Sequence, residues 1–143
     1  MLLCLVCNKK PKRSRNKYCS NKCQIVFQYN EYIKNWKQGL VTGDRGVSTK
    51  NISNHIKRYL IDRNGEQCSI CRWSERHPLT NRVPLEIDHI NGNAEDKSEN
   101  NLRLICPNCH SLSVTYRNLN KGKGRSWRTV KYIKVEKNAG LAE

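Results

Sequence analysis

Residues 84–110 read PLEIDHINGNAEDKSENNLRLICPNCH, and the layout of this stretch decides the fold of the chain. It opens on alternating residues, Leu85, Glu86, Ile87 and Asp88, the period of a strand with Glu86 and Asp88 on one face and Leu85 and Ile87 on the other. His89 closes that strand. The following residues are rich in Asn, Gly, Asp and Ser, which favour turns, and Asn91, Gly92 and Asn93 are expected to serve the turn. A second apolar run, Leu102, Leu104 and Ile105, then returns as a partner strand. It delivers Cys106, Cys109 and His110 to the end of the hairpin, where a helix can start. Asp88, His89, Asn101 and His110 therefore converge from the two ends of a hairpin and the first turn of a helix.

The chain has 143 residues, enough for one ordinary domain or two very small ones. A hydrophobic fraction of 36% and a mean hydropathy of −0.83 argue against a large apolar core, so other staples are expected. Eight cysteines supply them. They fall as Cys4 and Cys7, Cys19 and Cys23, Cys68 and Cys71, Cys106 and Cys109, close pairs of the kind that present thiolates to tetrahedral zinc. The first four are expected to hold one structural zinc ion and the last four a second. The N-terminus has no apolar segment long enough for a secretory signal, which sets the disulfide alternative aside and leads us to expect a cytoplasmic protein. No apolar run is long enough to span a membrane, and none is expected as a partner.

Charge narrows the partner. Twenty-seven Lys and Arg against twelve Asp and Glu give a net charge of +15, which points to a polyanion. Five of the twelve acids, Glu86, Asp88, Glu95, Asp96 and Glu99, lie in the one stretch quoted above. Nucleic-acid binding accounts for the basic background but not for this acidic island, whereas a divalent cation held against a phosphate accounts for both.

Asp88-His89, then Asn101-Leu102, then Cys106-Pro107-Asn108-Cys109-His110 together resemble the motif of the HNH endonucleases, whose catalytic unit is a ββα-metal finger. The three parts occur in order and at compatible spacing, and the likeness covers roughly the second half of the chain, Cys68 and Cys71 included. It implies hydrolysis of a phosphodiester with His89 as general base, and Asp88 and His110 as ligands of one catalytic divalent cation, Mg2+ or Mn2+. For Asn101 it leaves two roles open, holding the loop and the base in place or serving as a further ligand. Glu86, on the strand face of Asp88, is either a supporting neighbour or a third ligand. The implied product ends are 5′-phosphate and 3′-hydroxyl. The compact layout is similar to that of the small free-standing HNH proteins of bacteriophages, some of them homing endonucleases. A zinc-stapled DNA-binding protein or regulator with a degenerate nuclease core is the alternative, and a nuclease directed at RNA a third reading.

Outside the motif, Lys9, Lys10, Lys12, Arg13, Arg15 and Lys17 lie between the halves of the first quartet and form a basic finger suited to DNA phosphates. A helix is expected over 21–36, its Phe27, Tyr29, Tyr32, Ile33 and Trp36 forming core against the zinc knuckle. Residues 38–49 are rich in Gly and small polar residues and read as a linker. A second helix is expected over 51–63, capped by Ser48 or Thr49 and ended by Gly65, and neither His55 nor His77 is a site candidate. After His110 the spacing predicts a helix continuing through 111–120, with Leu112, Tyr116 and Leu119 facing the hairpin. Lys121, Lys123, Arg125 and Arg128, with Trp127 among them, read as a basic tail that meets DNA, with Arg117 a further DNA-contact residue ahead of it, and 130–135 as a terminal strand. The expected whole is a small α+β protein: a zinc knuckle plus helix (1–37), a linker (38–49), an HNH nuclease domain with the second cysteine quartet (50–120) and a basic C-terminal tail (121–143).

Overall fold

Alternation at both ends of the quoted stretch does produce a hairpin. In the computed structural model, which describes residues 2–46 and 49–122, β1 (Glu86–His89) pairs antiparallel with β2 (Leu102–Ile105). The register sets Glu86 opposite Ile105, Asp88 opposite Arg103 and His89 opposite Leu102. Paired residues share a face, so Glu86, Asp88 and Arg103 stand together on one side of the sheet. Around the hairpin Val83, Leu85, Leu102, Leu104 and Ile105 are buried, a thin apolar layer.

Among the described residues two α-helices precede the hairpin and one follows it: α1 (Asn21–Lys37), α2 (Asn54–Asn64) and α3 (Pro107–Ser111), giving the expected α+β class. Ser20 caps α1 by accepting a hydrogen bond from the amide of Cys23 at 3.3 Å, and Lys34 and Lys37 in the last turn suit the negative end of the helix dipole. The backbone clusters into two compact units, Met1–Tyr59 and Leu60–Glu143, with the division falling inside α2.

In the first unit the buried face of α1 is Tyr29, Ile33 and Trp36. The sequence suggests that the helix's aromatic residues pack on the knuckle, and Phe27 stands there, its ring 5.5 Å from that of Tyr18. Tyr29 and Tyr32 instead flank His55 at 5.6 and 5.1 Å, and Trp36 meets Tyr59 edge-on at 5.7 Å. The reason is length: a helix rises about 1.5 Å per residue, which carries Trp36 about 20 Å along the axis from Cys23. The second helix starts later than expected, because Asn51 and Ile52 are taken up by pairing with Arg45 and Asp44. Ser53 then caps it, accepting from the amide of His55 at 3.2 Å, in place of Ser48, which lies outside the described residues, or Thr49. Gly65, at φ +78°, ends it.

The segment after His110 departs from expectation. It is not a continuous helix: α3 stops at Ser111, and only a 3₁₀ turn, Arg117–Asn120, follows. Leu112 and Leu119 are 84% and 72% exposed and face no hairpin. β-Branched Val114 and Thr115 disfavour a helix, and a better use of the chain competes with one. Thr115 and Asn120 close over Gly92 in the loop after β1, with Asn120 Nδ2 donating to the Gly92 carbonyl at 2.5 Å. Lys123, Arg125, Trp127, Arg128 and the strand expected at 130–135 lie outside the described residues.

Gly92 has φ +74°, and a Cβ there would meet Thr115 Cγ2 at 2.6 Å and Asn120 Oδ1 at 2.8 Å. Gly92→Ala is therefore expected to destabilise the domain by about 2 kcal/mol or more, combining left-handed strain with a contact that must give way. Urea unfolding of the variant checks this, and wild-type stability would mean that the closure over Gly92 is not tight.

Candidate functional site

Each cysteine quartet is built from the same two parts. One is a knuckle: the Cys4 amide donates to the Lys9 carbonyl and the Asn8 amide to the Cys4 carbonyl, both at 3.0 Å. In the other unit the Cys68 amide donates to Trp73 at 2.8 Å and the Arg72 amide to Cys68 at 3.0 Å. Asn8 and Arg72 turn the chain at φ +57° and +65°. The second part is a helix start, α1 for Cys19 and Cys23, and α3 for Cys106 and Cys109, where the amide of Cys109 donates to Cys106 Sγ.

Both quartets bring their ligand atoms within 4.8 Å of one another. Zinc–sulfur bonds of about 2.3 Å in a tetrahedron require S···S edges of about 3.8 Å. Cys7, Cys19 and Cys23 lie 3.4 to 3.8 Å apart, and Cys71 and Cys106 3.8 Å apart, so both groups could hold zinc. Their protonation is divided in the same way. The Cys4 thiol is lowered to about 6, chiefly by the backbone amide of Val6. Burial pushes Cys68 up, but the amides of Cys71, Cys106 and Ile70 outweigh it and bring it to about 6. Cys19 is pushed up to about 12 by its bond with Cys7, and Cys109 to about 12 by its bond with Cys71. Four sulfurs this close cannot all ionise against one another; a dication is what lets them.

The hairpin face carries the second cluster. Asp88 is buried, and its Oδ2 accepts from Arg103 Nε and Nη2, both at 2.8 Å. A buried carboxylate needs such a partner, since an uncompensated charge there costs several kcal/mol. Next along the same face the Glu86 carboxylate accepts from His110 Nδ1, which rises from α3. The His110 ring is held on another side by Tyr116, edge-on at 5.2 Å, and Arg117 lies over that tyrosine at 5.0 Å. With Nδ1 engaged, Nε2 is the nitrogen left for a ligand, the arrangement by which carboxylates orient metal-binding histidines. Among the described residues, only the two cysteine quartets gather three or more His, Cys, Asp or Glu ligand atoms within 4.8 Å.

His89 ends β1, and the loop after it is clamped at both ends. Asn101 Oδ1 accepts from the Asn91 amide at 2.9 Å, Asn101 Nδ2 donates to the Asp96 carbonyl at 2.7 Å, and the Ile90 amide donates to the Asn101 carbonyl at 2.9 Å. Asp96 ties the middle, accepting from the hydroxyl and amide of Ser98 and from Asn91 Nδ2. Those bonds, the Ser98 hydroxyl first, hold its carboxyl below the ordinary 3.8, with the charge of His89 adding to the effect.

Residues 68–113 match the family model of the HNH endonuclease. The chain carries an HNH endonuclease domain. Its matched stretch begins at the first cysteine of the second quartet and takes in the whole hairpin and His110. Over 96 residues, 67% of this chain, the sequence is 31% identical to the H-N-H endonuclease F-TflIV of Escherichia phage T5, and it spans 40% of that protein's length. No solved structure matches the chain.

Within the HNH domain, the hairpin places Asp88 and His89 on β1, Asn101 at the loop's far end, and His110 against Glu86. Arg103, Asp96 and the contact between Glu86 and His110 are not evident in the sequence; the strand register would have revealed the first, by setting residue 103 across from 88. In the first unit Lys9, Lys10, Lys12, Arg13, Arg15 and Lys17 are all exposed, on a loop closed by the Leu5 amide donating to Lys17. The remaining histidines stand elsewhere: His55 lies between tyrosine rings, and His77 Nδ1 accepts from the amides of Leu79 and Thr80.

Asp96 sets a pH dependence. Its folded pKa lies below the unfolded value of about 3.9, so its contribution is complete above that value and is lost as pH falls through the folded one. Asp96→Asn is expected to be less stable than wild type near pH 6, with the gap narrowing as the pH falls below the unfolded value. Denaturant unfolding across that range tests it, and a constant gap would remove Asp96 ionisation from the account.

Proposed function

We propose that the protein is a divalent-metal-dependent DNA endonuclease that nicks or cleaves a phosphodiester by hydrolysis. The single observation that supports this best is that β1 carries Asp88 and His89 and that its Glu86 meets His110 of α3, all inside the stretch that matches the HNH endonuclease family. Asp88 and His110 Nε2 are the residues that would hold the cation, one hard oxygen and one imidazole, which suits Mg2+ or Mn2+. When bound, such an ion supplies positive charge to the phosphate oxygens.

The chain's own residues do the rest. His89 takes a proton from water at its imidazole nitrogen, which contributes about 10²–10⁴ in rate. Asn101 is a positioning residue, because both ends of its amide are spent holding the loop that follows His89. Glu86 is likewise a positioning residue, acting through His110 Nδ1. The two quartets take structural zinc, and the basic finger of the first unit, with Arg117 and Lys121, follows the DNA backbone. Likeness to an H-N-H endonuclease of phage T5 supports an enzyme of the phage kind; homing is a role we assign it only by analogy with the small phage HNH proteins.

One observation favours the alternative, a DNA-binding protein with a degenerate core: Arg103 already neutralises Asp88. Plasmid cleavage in Mg2+ separates the two readings. Wild type is expected to convert supercoiled DNA to nicked or linear forms with 5′-phosphate ends, and His89→Ala to be slower by about 10²–10⁴. Intact plasmid with wild type, or equal cutting by both proteins, would leave only the binding reading; preference for an RNA substrate would redirect the activity.

Structural zinc in both quartets makes a separate expectation. Protein purified without chelator should carry two zinc ions per chain, and Cys109→Ala should lose one of them. Zinc sites of this kind contribute about 10 kcal/mol or more to folding, so that loss should unfold the HNH domain. Metal analysis with circular dichroism reads both, and a folded Cys109→Ala chain at wild-type zinc content would count against it.

A further inference from the structure

On the HNH domain, beside β2, lies an open cleft of about 660 Å³ whose walls include Arg63, Arg72 and Arg103 with Asn64, Ser69 and Glu99. Its three guanidinium groups come from three different elements, the end of α2, the knuckle turn and β2. Arg63 is matched by Glu99 at 2.9 Å. Arg72 is exposed and carried on the turn closed by its backbone amide donating a hydrogen bond to the Cys68 carbonyl, and it takes part in none of the ion pairs of the described residues. Arg103 belongs to two places at once. It lines the cleft, and it is the residue bonded to Asp88.

The wall chemistry selects an anion with several oxygens. Guanidinium forks match phosphate oxygens in pairs, and the amide and hydroxyl of Asn64 and Ser69 add neutral polar partners. The open shape suits a chain that passes through rather than a small molecule that is enclosed.

We propose that this cleft seats a backbone phosphate of the DNA strand, and that Arg103 couples that phosphate to Asp88. In the free protein the guanidinium neutralises the buried carboxylate. With a strand seated, Arg103 turns to the phosphate and leaves the Asp88 oxygen to a divalent cation. DNA and cation then favour each other's binding, and by linkage the coupling is equal in both directions. Without DNA the carboxylate is already satisfied, so the cation binds weakly.

This inference rests on the nuclease reading, and one set of measurements separates the two. Mn2+ affinity is measured on the zinc-loaded full chain by electron paramagnetic resonance of the free ion, in a His89→Ala background so that DNA stays whole. Each titration is run with and without a short DNA duplex, and binding to the duplex alone is subtracted. The duplex should tighten Mn2+ by about tenfold, within the range typical of coupled sites. Adding Arg103→Ala should tighten Mn2+ in the absence of DNA and abolish the further gain with it. Arg72→Ala, which leaves the pair with Asp88 in place, should keep the DNA-free affinity and reduce the gain.

Equal Mn2+ affinities in the parent and both variants, with the same gain on adding DNA, would overturn the coupling and leave the nuclease reading standing. No Mn2+ binding by the parent, even with DNA, would overturn both. Should Arg103→Ala fail to fold, judged by zinc content and circular dichroism, Arg72→Ala decides alone, and an undiminished gain rejects the proposal.

Discussion

The hairpin depends on the four thiols of Cys68, Cys71, Cys106 and Cys109 being held in one place. Two four-residue strands have few hydrogen bonds, and an isolated hairpin of that length is marginal in water. The quartet adds what the strands lack. The knuckle is bonded to the outer edge of β2, where Leu104's carbonyl accepts from both the amide and the hydroxyl of Ser69. Cys106 then ends β2 and caps α3 in one residue, so the direction of the helix is set by the same atoms that gather the sulfurs. His110 lies one residue beyond Cys109. Its meeting with Glu86 is thus a consequence of the quartet rather than of the apolar layer beneath.

The two units apply one plan to different ends. Both have a knuckle closed by the same pair of backbone bonds, and both spend their second cysteine pair at the start of a helix. They differ in what is inserted between the pairs. Cys7 and Cys19 are 12 residues apart, and the gap holds a basic finger; Cys71 and Cys106 are 35 apart, and the gap holds a hairpin bearing acids and histidines. An insertion of the first length holds a short, exposed basic loop. One of the second length folds back on itself and sets the Asp88 carboxylate against the Arg103 guanidinium across a sheet.

Features written in short-range chemistry were legible before any coordinates. Cysteine pairs name their own partners, alternation names a strand, and Gly92 between two asparagines names a turn. Side-chain partnerships that depend on register were not. Nothing near Asp88 in the chain announces Arg103, fifteen residues away, and Glu86 reads equally well as a ligand until His110 is seen beside it. Residues 111–120 misled for a different reason. Leu112, Tyr116 and Leu119 repeat at helical spacing, but periodicity has meaning only where a surface waits to receive it. Here the outer edge of β2 is bonded to the knuckle, and the chain places Thr115 and Asn120 against Gly92 instead.

Burying Asp88 raises a conflict that the fold has to resolve. A shielded and unpaired carboxylate would destabilise a hairpin with so little else to hold it. Protonation would relieve the charge but give up the ionic bond across the strands. A lysine would answer it with a strongly hydrated point charge, whereas a guanidinium is more weakly hydrated and can give two donors to one oxygen, as Arg103 does. Because the arginine sits directly across the strand pair, its backbone is fixed and only its long side chain need move. The carboxylate can then be released without refolding the hairpin.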